Sequence, residues 1–397
     1  MTGSASPGGS HSVSAVRPGA CSRWWGQSMA ETSTIEWTDA TWNPITGCTL
    51  ASPGCQFCYA ADLAATRLSQ HPSRAGLARR NAAGVAAWTG EVRLNEQWLE
   101  QPLRWKRPRR IFVCAHADLF HEAVPDEWID RVFAVMALAP QHTFQVLTKR
   151  AARMRGYVSK LDIYALEEAD EWRDADHRVA CDDDPNGSPA WHAQTAALED
   201  ALSAARTCLE AGKPLPNVWL GVSAEDQQRA DERIPDLLAT SAAVRFGSFE
   251  PLLGPMDVAW ALGHPFGIAA GFLQRGHFSP GAEKLRGLDW IIVGGESGRH
   301  ARPMHPAWAR SLRDQAQAAG VPFLFKQWGE WARADKLLPG HPGDVTYWPD
   351  GSIGAGNAND NGGPGWSLRR VGKRAAGRRL DGRTWDEMPE LAHAHLS

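Results

Sequence analysis

Short apolar segments alternate with amphipathic segments along most of the chain. Apolar, strand-like runs occur at residues 110–115, 143–148, 217–222, 243–248, 288–293 and 321–325. Apolar residues recur with the helical period at 125–139, 226–240 and 306–319, which predicts amphipathic helices. Repeated β/α units build parallel sheets. With one further strand before Cys48, the pattern predicts an α/β fold, a full or partial β/α barrel of about six to seven parallel strands.

Four segments lie outside this pattern. Residues 1–32 are rich in Ser, Gly and Ala and are predicted to be disordered, with Met29 as the start of translation. The barrel domain is predicted over residues 33–328, with a solvated insertion at about 156–215 and an extended loop at about 263–287. Residues 329–397 are predicted to form a C-terminal extension rich in Gly and Pro.

Composition narrows the class of protein but not its activity. A chain of 397 residues with 43% hydrophobic residues suits one large domain with additions and a substantial core. The sequence has no apolar run long enough to span a membrane and no apolar signal core, so a cytoplasmic location is predicted. The net charge of −3 excludes a global bias towards nucleic acid or membranes.

Three of the seven cysteines, Cys48, Cys55 and Cys58, lie close together in the sequence. Six residues separate the first two and two separate the last two, and an intervening Pro-Gly pair allows the loop to turn back. Thiolates select zinc or iron–sulfur clusters, and a structural zinc site takes four ligands. Three cysteines therefore favour an iron–sulfur cluster with one iron left open. Two alternatives remain: zinc with His121 as the fourth ligand, and cysteines that are buried and inert.

Polar residues follow each predicted strand, at the end where β/α barrels carry their chemistry. In chain order they are His116, Asp118 and His121; Thr148, Lys149 and Arg150; Ser223, Glu225 and Asp226; Ser248 and Glu250; Glu296 and Ser297; and Lys326, Gln327 and Trp328. One such residue is more often a helix cap, but the set indicates an active site at one rim. A helix predicted at 59–70 would bring its amino end to the cysteine loop and favour anionic thiolates.

The cysteine loop resembles that of radical S-adenosylmethionine enzymes. The two-residue second gap matches, as does an aromatic residue beside the last cysteine, here Tyr59, while the first gap is three residues longer. A phage- and prophage-associated three-cysteine family, radical-SAM-like and of unknown function, is more closely similar. That similarity lies in residues 35–48, 111–122, 144–150, 217–223, 245–254, 289–298, 302–305 and 325–331.

The resemblance implies a [4Fe–4S] cluster on Cys48, Cys55 and Cys58, with S-adenosyl-L-methionine (SAM) on the open iron. It implies an enzyme that generates a 5′-deoxyadenosyl radical on a partial β/α barrel. The candidate cofactor-binding residues are then Tyr59, Ser223, Glu225 and Glu250. The candidate catalytic residues are His121 as a proton donor, Asp118, Lys149 for an anionic group and Glu296 for the substrate.

Partners and substrate stay open at the level of sequence. Residues 104–110 mix basic and aromatic side chains, and residues 369–383 hold seven basic side chains, so nucleic acid is a candidate substrate. A protein encoded by an adjacent gene is a further candidate partner. The alternative functions are a non-enzymatic iron–sulfur or zinc protein that binds nucleic acid, and a metal-dependent hydrolase using His116, Asp118 and His121.

Overall fold

The computed structural model describes residues 32–167, 189–263, 286–334, 344–347, 353–354 and 366–390. Three sequence predictions lie outside these ranges, wholly or almost so. They are the disordered segment 1–32, the turn-rich part of the insertion around Asp182–Asp184 and the extended loop 263–287.

Strands and helices alternate through most of the described chain. In chain order the strands are β1 Ala40–Trp42, β2 Ile45–Thr46, β3 Ala78–Arg80, β4 Ala86–Trp88, β5 Arg93–Leu94, β6 Arg110–Val113, β7 Thr143–Thr148, β8 Val218–Ser223, β9 Val244–Phe249, β10 Trp290–Gly294, β11 Phe323–Gln327, β12 Trp331–Arg333, β13 Asp344–Tyr347, β14 Ile353–Gly354, β15 Trp366–Arg370, β16 Arg379–Leu380 and β17 Arg383–Thr384. The helices are α1 Tyr59–Ala65, α2 Glu96–Leu99, α3 Asp126–Ala137, α4 Ala151–Val158, α5 Pro189–Glu210, α6 Gln227–Leu238, α7 Ala259–Leu262, α8 Pro306–Ala319 and α9 Lys373–Ala376.

The main sheet has seven strands in the order β1-β6-β7-β8-β9-β10-β11, and every neighbouring pair is parallel. The order follows the sequence without reversal. Since β/α crossovers are right-handed, an unreversed order places the connecting helices on one face, and the sheet curls into a half-barrel. This confirms the predicted α/β class and the partial β/α barrel.

The two faces of the sheet have different cores. The helix side buries most of the apolar residues, among them Ile111, Val146 and Ile291. The concave side carries a smaller layer of aromatic side chains, called here the aromatic floor: Trp37, Phe112, Trp219, Phe246 and Trp290. Neighbouring rings in this layer lie 4.7 to 6.3 Å apart, so the floor fills the lower part of the half-barrel.

The observed elements agree closely with the predicted ones. β7 and α8 have the predicted bounds, and the other predicted strands of the sheet are displaced by two residues or fewer. The helix after the cysteine loop is shorter than predicted, ending at Ala65 rather than at residue 70. There the chain leaves helical geometry at Thr66, whose hydroxyl donates back to the Asp62 carbonyl oxygen at 2.5 Å.

The described part of the C-terminal extension forms an antiparallel sheet in the order β12-β15-β13-β14. The chain then returns along the open edge of the main sheet. Asp386 bridges antiparallel to Leu324, and the Phe325 N–H donates to the Trp385 carbonyl oxygen at 3.0 Å. None of the helices in the described ranges is both long and apolar enough to cross a membrane.

Candidate metal centre at the carboxyl rim

The cysteine loop, residues 47–59, joins β2 to α1 at the carboxyl ends of the parallel strands, called here the carboxyl rim. Cys48, Cys55 and Cys58 are free thiols, each partly buried. Burial, above all, raises the pKa of the Cys48 thiol to about 12, and the charges of Cys55 and Cys58 contribute to the rise. All three thiols stand on one short loop at the same rim.

The three thiols share one loop, but in the described ranges they are not arranged as a metal-binding site. In the described ranges, no three Cys, His, Asp or Glu side chains are arranged so that they could hold a metal ion. Cys48, Cys55 and Cys58 would have to turn towards a common point to share a ligand. Loss of the thiol protons would accompany that step, since thiolates rather than thiols bind metals.

Cys58 is the residue immediately before α1, at the amino end of that helix. Burial raises the pKa of its thiol, while the N–H groups of Ala61 and Ala60 and the side chain of Trp88 donate towards the sulfur and oppose the rise. A thiolate at Cys58 would therefore be favoured by these groups. The loop therefore has the amide environment that a following helix was predicted to provide.

Arg150, at the carboxyl end of β7, contacts the first cysteine directly. Its Nη1 lies 3.8 Å from Cys48 Sγ and 3.1 Å from Asp118 Oδ2. Its Nη2 donates to the Thr49 hydroxyl at 2.7 Å, and its Nε donates to Glu122 at 2.8 Å. Burial acts to lower the pKa of Arg150, but the charges of Asp118 and Cys48 outweigh it and raise that pKa. Arg150 is thus a permanent cation beside Cys48.

Asp118 is buried and fully engaged in holding two strand ends together. It accepts from the Thr148 hydroxyl at 2.6 Å and from the Lys149 N–H at 3.0 Å, besides Arg150. The candidate catalytic carboxylate therefore orients the arginine beside Cys48.

His121 has both ring nitrogens in hydrogen bonds, and one of these bonds goes to the cysteine loop. Its Nδ1 accepts from the Ala123 N–H at 3.1 Å, which leaves the proton on Nε2 for the Thr49 hydroxyl at 2.9 Å. Burial and, next, the charge of Arg150 lower the pKa of His121. His121 is thus a neutral residue that caps a turn and supports Thr49, and a role as fourth zinc ligand would require it to give up the bond to Thr49 or the bond to Ala123.

Glu225 lies beneath the loop with no exposed surface. Its Oε1 accepts from the Gly54 N–H at 3.0 Å, and its Oε2 pairs with Arg233 at 3.3 Å. Burial acts to raise its pKa, but the Lys149 ammonium, the Gly54 N–H and the Arg233 guanidinium help to outweigh burial and lower it. Glu225, a candidate cofactor-binding residue, is thus an ionised anchor for the turn of the loop.

Glu296 and Arg302 hold the loop from the opposite side. The Arg302 side chain binds Glu296 at 2.7 and 2.6 Å, and it donates to the Pro53 carbonyl oxygen at 3.0 Å. Its guanidinium also lies 5.2 Å from the centre of the Phe57 ring. Glu296 therefore acts on the loop through Arg302. Arg302 lies in one of the segments that carry the family resemblance, residues 302–305. The sequence does not indicate that it contacts Pro53, which lies 249 residues earlier in the chain.

The rim residues nearest the concave face form a polar chain. Lys149 donates to the Ser223 hydroxyl, which lies 3.3 Å from the Glu250 carbonyl oxygen. The Glu250 carboxylate pairs with Lys326 at 2.8 Å. Residues predicted separately from three strand ends, Lys149, Ser223 and Glu250, are thus brought together above the aromatic floor.

Tyr59 follows the last cysteine at the same mouth. Its ring is 48% exposed, whereas its hydroxyl lies inside and donates to the Ala115 carbonyl oxygen at 2.8 Å. Burial of that hydroxyl raises its pKa. The Tyr59 ring is therefore fixed in orientation and open to a ligand on one side.

His116, Asp118 and His121 do not converge as a hydrolase centre would require. His116 accepts from Arg74 at 3.1 Å through Nδ1, while Asp118 and His121 are held by Thr148 and Thr49. In the described ranges they form no metal-holding group.

Many basic side chains of these two segments form ion pairs with acidic side chains, five of the seven in residues 369–383 and at least two of the five in residues 104–110. In residues 369–383, ion pairs join Arg369 to Asp344, Lys373 to Glu36, and Arg378 to Asp386. Further pairs there involve Arg370 and Arg383, and in residues 104–110 they involve Arg104 and Arg110. Much of the positive charge predicted to attract phosphates is therefore neutralised within the protein.

Residues 32–389 match a family described as a protein of unknown function, DUF5131. The matched region includes the cysteine loop, every strand of the half-barrel and the returning C-terminal segment. No curated protein matches the chain. Since the match spans most of the 397 residues, the chain belongs to the DUF5131 family.

Proposed function

We propose that this protein is a radical-SAM-like enzyme that holds a [4Fe–4S] cluster through Cys48, Cys55 and Cys58. One observation carries the proposal: three free thiols stand on a single loop at the carboxyl rim of a parallel half-barrel. The carboxyl rim is where β/α barrels carry their active sites.

The donor set fits an iron–sulfur cluster better than zinc. Three soft thiolates suit either group, but a closed zinc site needs a fourth ligand. The zinc candidate, His121, has both ring nitrogens in hydrogen bonds. A [4Fe–4S] cluster needs only the three thiolates, and when bound it supplies an open iron for SAM and one electron for its reductive cleavage.

The chain itself would hold and shield this group. Arg150, Glu225 and Arg302 fix the cysteine loop at three separate points, on Thr49, Gly54 and Pro53. Arg150 beside Cys48 and the amide groups beside Cys58 oppose the accumulated negative charge of the thiolates.

The cofactor and substrate would bind between the loop and the aromatic floor. Tyr59, Ser223 and Glu250 face that space with a ring, a hydroxyl and a carboxylate, and we retain them as cofactor-binding candidates. Lys149 has a hydroxyl rather than a carboxylate as its side-chain partner, which suits an anionic group. The aromatic floor closes the lower end against water.

The test is anaerobic reconstitution with iron and sulfide, followed by dithionite and SAM, with 5′-deoxyadenosine as the product measured. We expect about four iron atoms per chain and 5′-deoxyadenosine from the wild type. The variant with Cys48, Cys55 and Cys58 all changed to Ala should give neither. Cys208→Ala, which removes a free thiol on α5, is the matched control and should behave as wild type. Stoichiometric zinc without iron uptake would refute the proposal.

A further inference from the structure

His116 lies at the rim, where its backbone N–H, its carbonyl oxygen and its Nδ1 all form hydrogen bonds. Its N–H donates to Asn43 Oδ1 at 3.0 Å, and its carbonyl oxygen accepts from the Gly47 N–H at 3.2 Å. Arg74 donates to Nδ1 from Nη2 and Nε, at 3.1 and 3.4 Å. Nε2 has no hydrogen-bond partner within the described ranges, and the side chain is partly exposed.

The local backbone is shaped to place this residue. Cys114, the residue after β6, has a φ of 57°, which a side chain other than glycine adopts only at a cost of roughly 1 kcal/mol. The Ala117 N–H closes the resulting turn on the Cys114 carbonyl oxygen at 3.0 Å. The turn sets the His116 ring edge-on to the Tyr59 ring, with their centres 6.2 Å apart. His116 therefore lies beside the last residues of the cysteine loop.

Arg74 is a buried cation with no carboxylate beside it in the described ranges. Its exposure is 2%, and its hydrogen bonds go to His116 and the Ser73 hydroxyl, with Trp98 packed against the guanidinium at 5.6 Å. In the described part of the chain no carboxylate lies within ion-pair distance of Arg74. Burying an unpaired charge is costly, and burial lowers the pKa of Arg74 to about 10.

The contact with Arg74 decides the state of the imidazole. A guanidinium can only donate, so His116 Nδ1 must accept and the proton must sit on Nε2. Burial, and next the charge of Arg74, lower the pKa of His116 to about 3. His116 is thus neutral at physiological pH, and the cation behind it polarises its outward N–H.

We propose that His116 Nε2–H, backed by Arg74, is a binding site for an anionic oxygen at the mouth of the half-barrel. The oxygen would belong to a carboxylate or phosphate group of the cofactor or the substrate, an attribution that rests on the proposed function. A bound anion would supply the negative charge that Arg74 lacks.

The test uses the full chain with ¹⁵N-labelled histidine, without iron, and follows the His116 ring signals by NMR. The signal is assigned by its absence in His116→Gln. The expected state is the Nε2–H tautomer. Addition of inorganic phosphate or of SAM should shift the Nε2–H resonance. A response to SAM alone assigns the oxygen to the cofactor carboxylate, and a response to phosphate assigns it to a phosphorylated substrate.

Two variants and one internal control complete the experiment. Arg74→Met should weaken the anion response about tenfold or more. Arg245→Met, which removes a partly buried arginine at the amino end of β9, should leave the response intact. The buried His142 should not respond in any sample. A proton on Nδ1, or no shift with either phosphate or SAM, would overturn the site. Because no iron is used, the tautomer and the response to phosphate are independent of whether a cluster forms.

Discussion

At the scale of single residues, the cysteine loop depends on charged side chains that come from distant strands. Glu225 follows β8, Arg150 follows β7 and Arg302 follows β10, and each of them reaches one point of the loop. Each of these side chains is itself held by an opposite charge: Arg233, Asp118 and Glu296. The conformation of the cysteine loop therefore depends on these three ion pairs.

Glu225→Gln tests the most buried of the pairs. The amide can still accept from Gly54, but Arg233, with a side chain only 7% exposed, would be left buried without a carboxylate. Removing one partner of a buried pair costs roughly 3–5 kcal/mol. We expect a loss of that size in the free energy of unfolding, measured by urea denaturation.

The control for Glu225→Gln is Glu232→Gln. Glu232 lies on α6, the same helix that carries Arg233, and its side chain is 51% exposed in a pair of 4.0 Å with Arg229. This change should alter stability by less than about 1 kcal/mol. Equal effects of the two substitutions would show that Glu225 is no anchor.

Sequence reasoning found the residues of the rim but not their partners. Lys149, Ser223 and Glu250 were predicted to share the rim because parallel strands end at one edge, and they do lie together. That Glu296 reaches the loop only through Arg302 was not predicted. Pairing depends on the direction of each side chain, and no sequence spacing encodes it across such distances.

At the scale of elements, the strands were predictable because each is a short apolar run between polar segments. The pattern does not predict which residues on the concave face belong to the polar rim and which belong to the aromatic floor. Along β8, Trp219 lies in the floor, Ser223 lies at the rim, and Gly221 lies between them. That order depends on how neighbouring strands fill the space, as the contact between Gly221 and Phe246 illustrates.

Gly221→Ala should disrupt the aromatic floor. A β-carbon at residue 221 would lie 2.5 Å from atoms of the Phe246 ring, so the ring would have to move within a packed layer. Overpacking of this kind costs roughly 1–3 kcal/mol. We expect a lower melting temperature and a changed near-ultraviolet circular dichroism signal from the displaced aromatic rings.

Gly254→Ala is the matched substitution. Its β-carbon would meet nothing closer than 3.8 Å, and the loss of chain freedom in the unfolded state stabilises by about 0.4–1 kcal/mol where the backbone is compatible. A melting temperature as low as that of Gly221→Ala would show that steric conflict with Phe246 is not the cause.

At the scale of the whole molecule, the C-terminal segment covers the edge of the half-barrel. Arg310 and Arg313 on α8 both bind Asp381, which turns the chain between β16 and β17 with a φ of 53°. From there the chain runs beside β11 to Met388, which contacts Arg110 at the start of β6. Asp381 thus helps to fasten a segment that runs from the β11 edge of the sheet to the start of β6.

Asp381→Asn should loosen this segment in a pH-dependent way. The hydrogen bond from Arg310, and next that from Arg313, lower the pKa of Asp381 from 3.8 to about 2. A carboxyl group whose pKa is lowered on folding stabilises the protein above its unfolded pKa, and this contribution disappears as the pH falls towards the folded value. Asparagine tolerates the same backbone conformation, so the substitution isolates the charge.

The measurement is the melting temperature of both proteins from pH 7 to pH 2. The variant should melt slightly lower at pH 7, because the side chain is 38% exposed and such pairs contribute little. The gap should close between about pH 4 and pH 2. A gap that stays constant over that range would assign the effect to packing rather than to charge.

The contact between Arg302 and the loop also sets an order of events during synthesis. Strands of the sheet pair in the order in which they are made, so the half-barrel can grow one strand at a time. Arg302 and its partner Gln56 are 246 residues apart, an interval of roughly 12–50 s at about 5–20 residues per second. On the ribosome Arg150 and Glu225 are thus available to the loop before Arg302, and the thiols can meet iron or oxidants before the loop has gained its last contact.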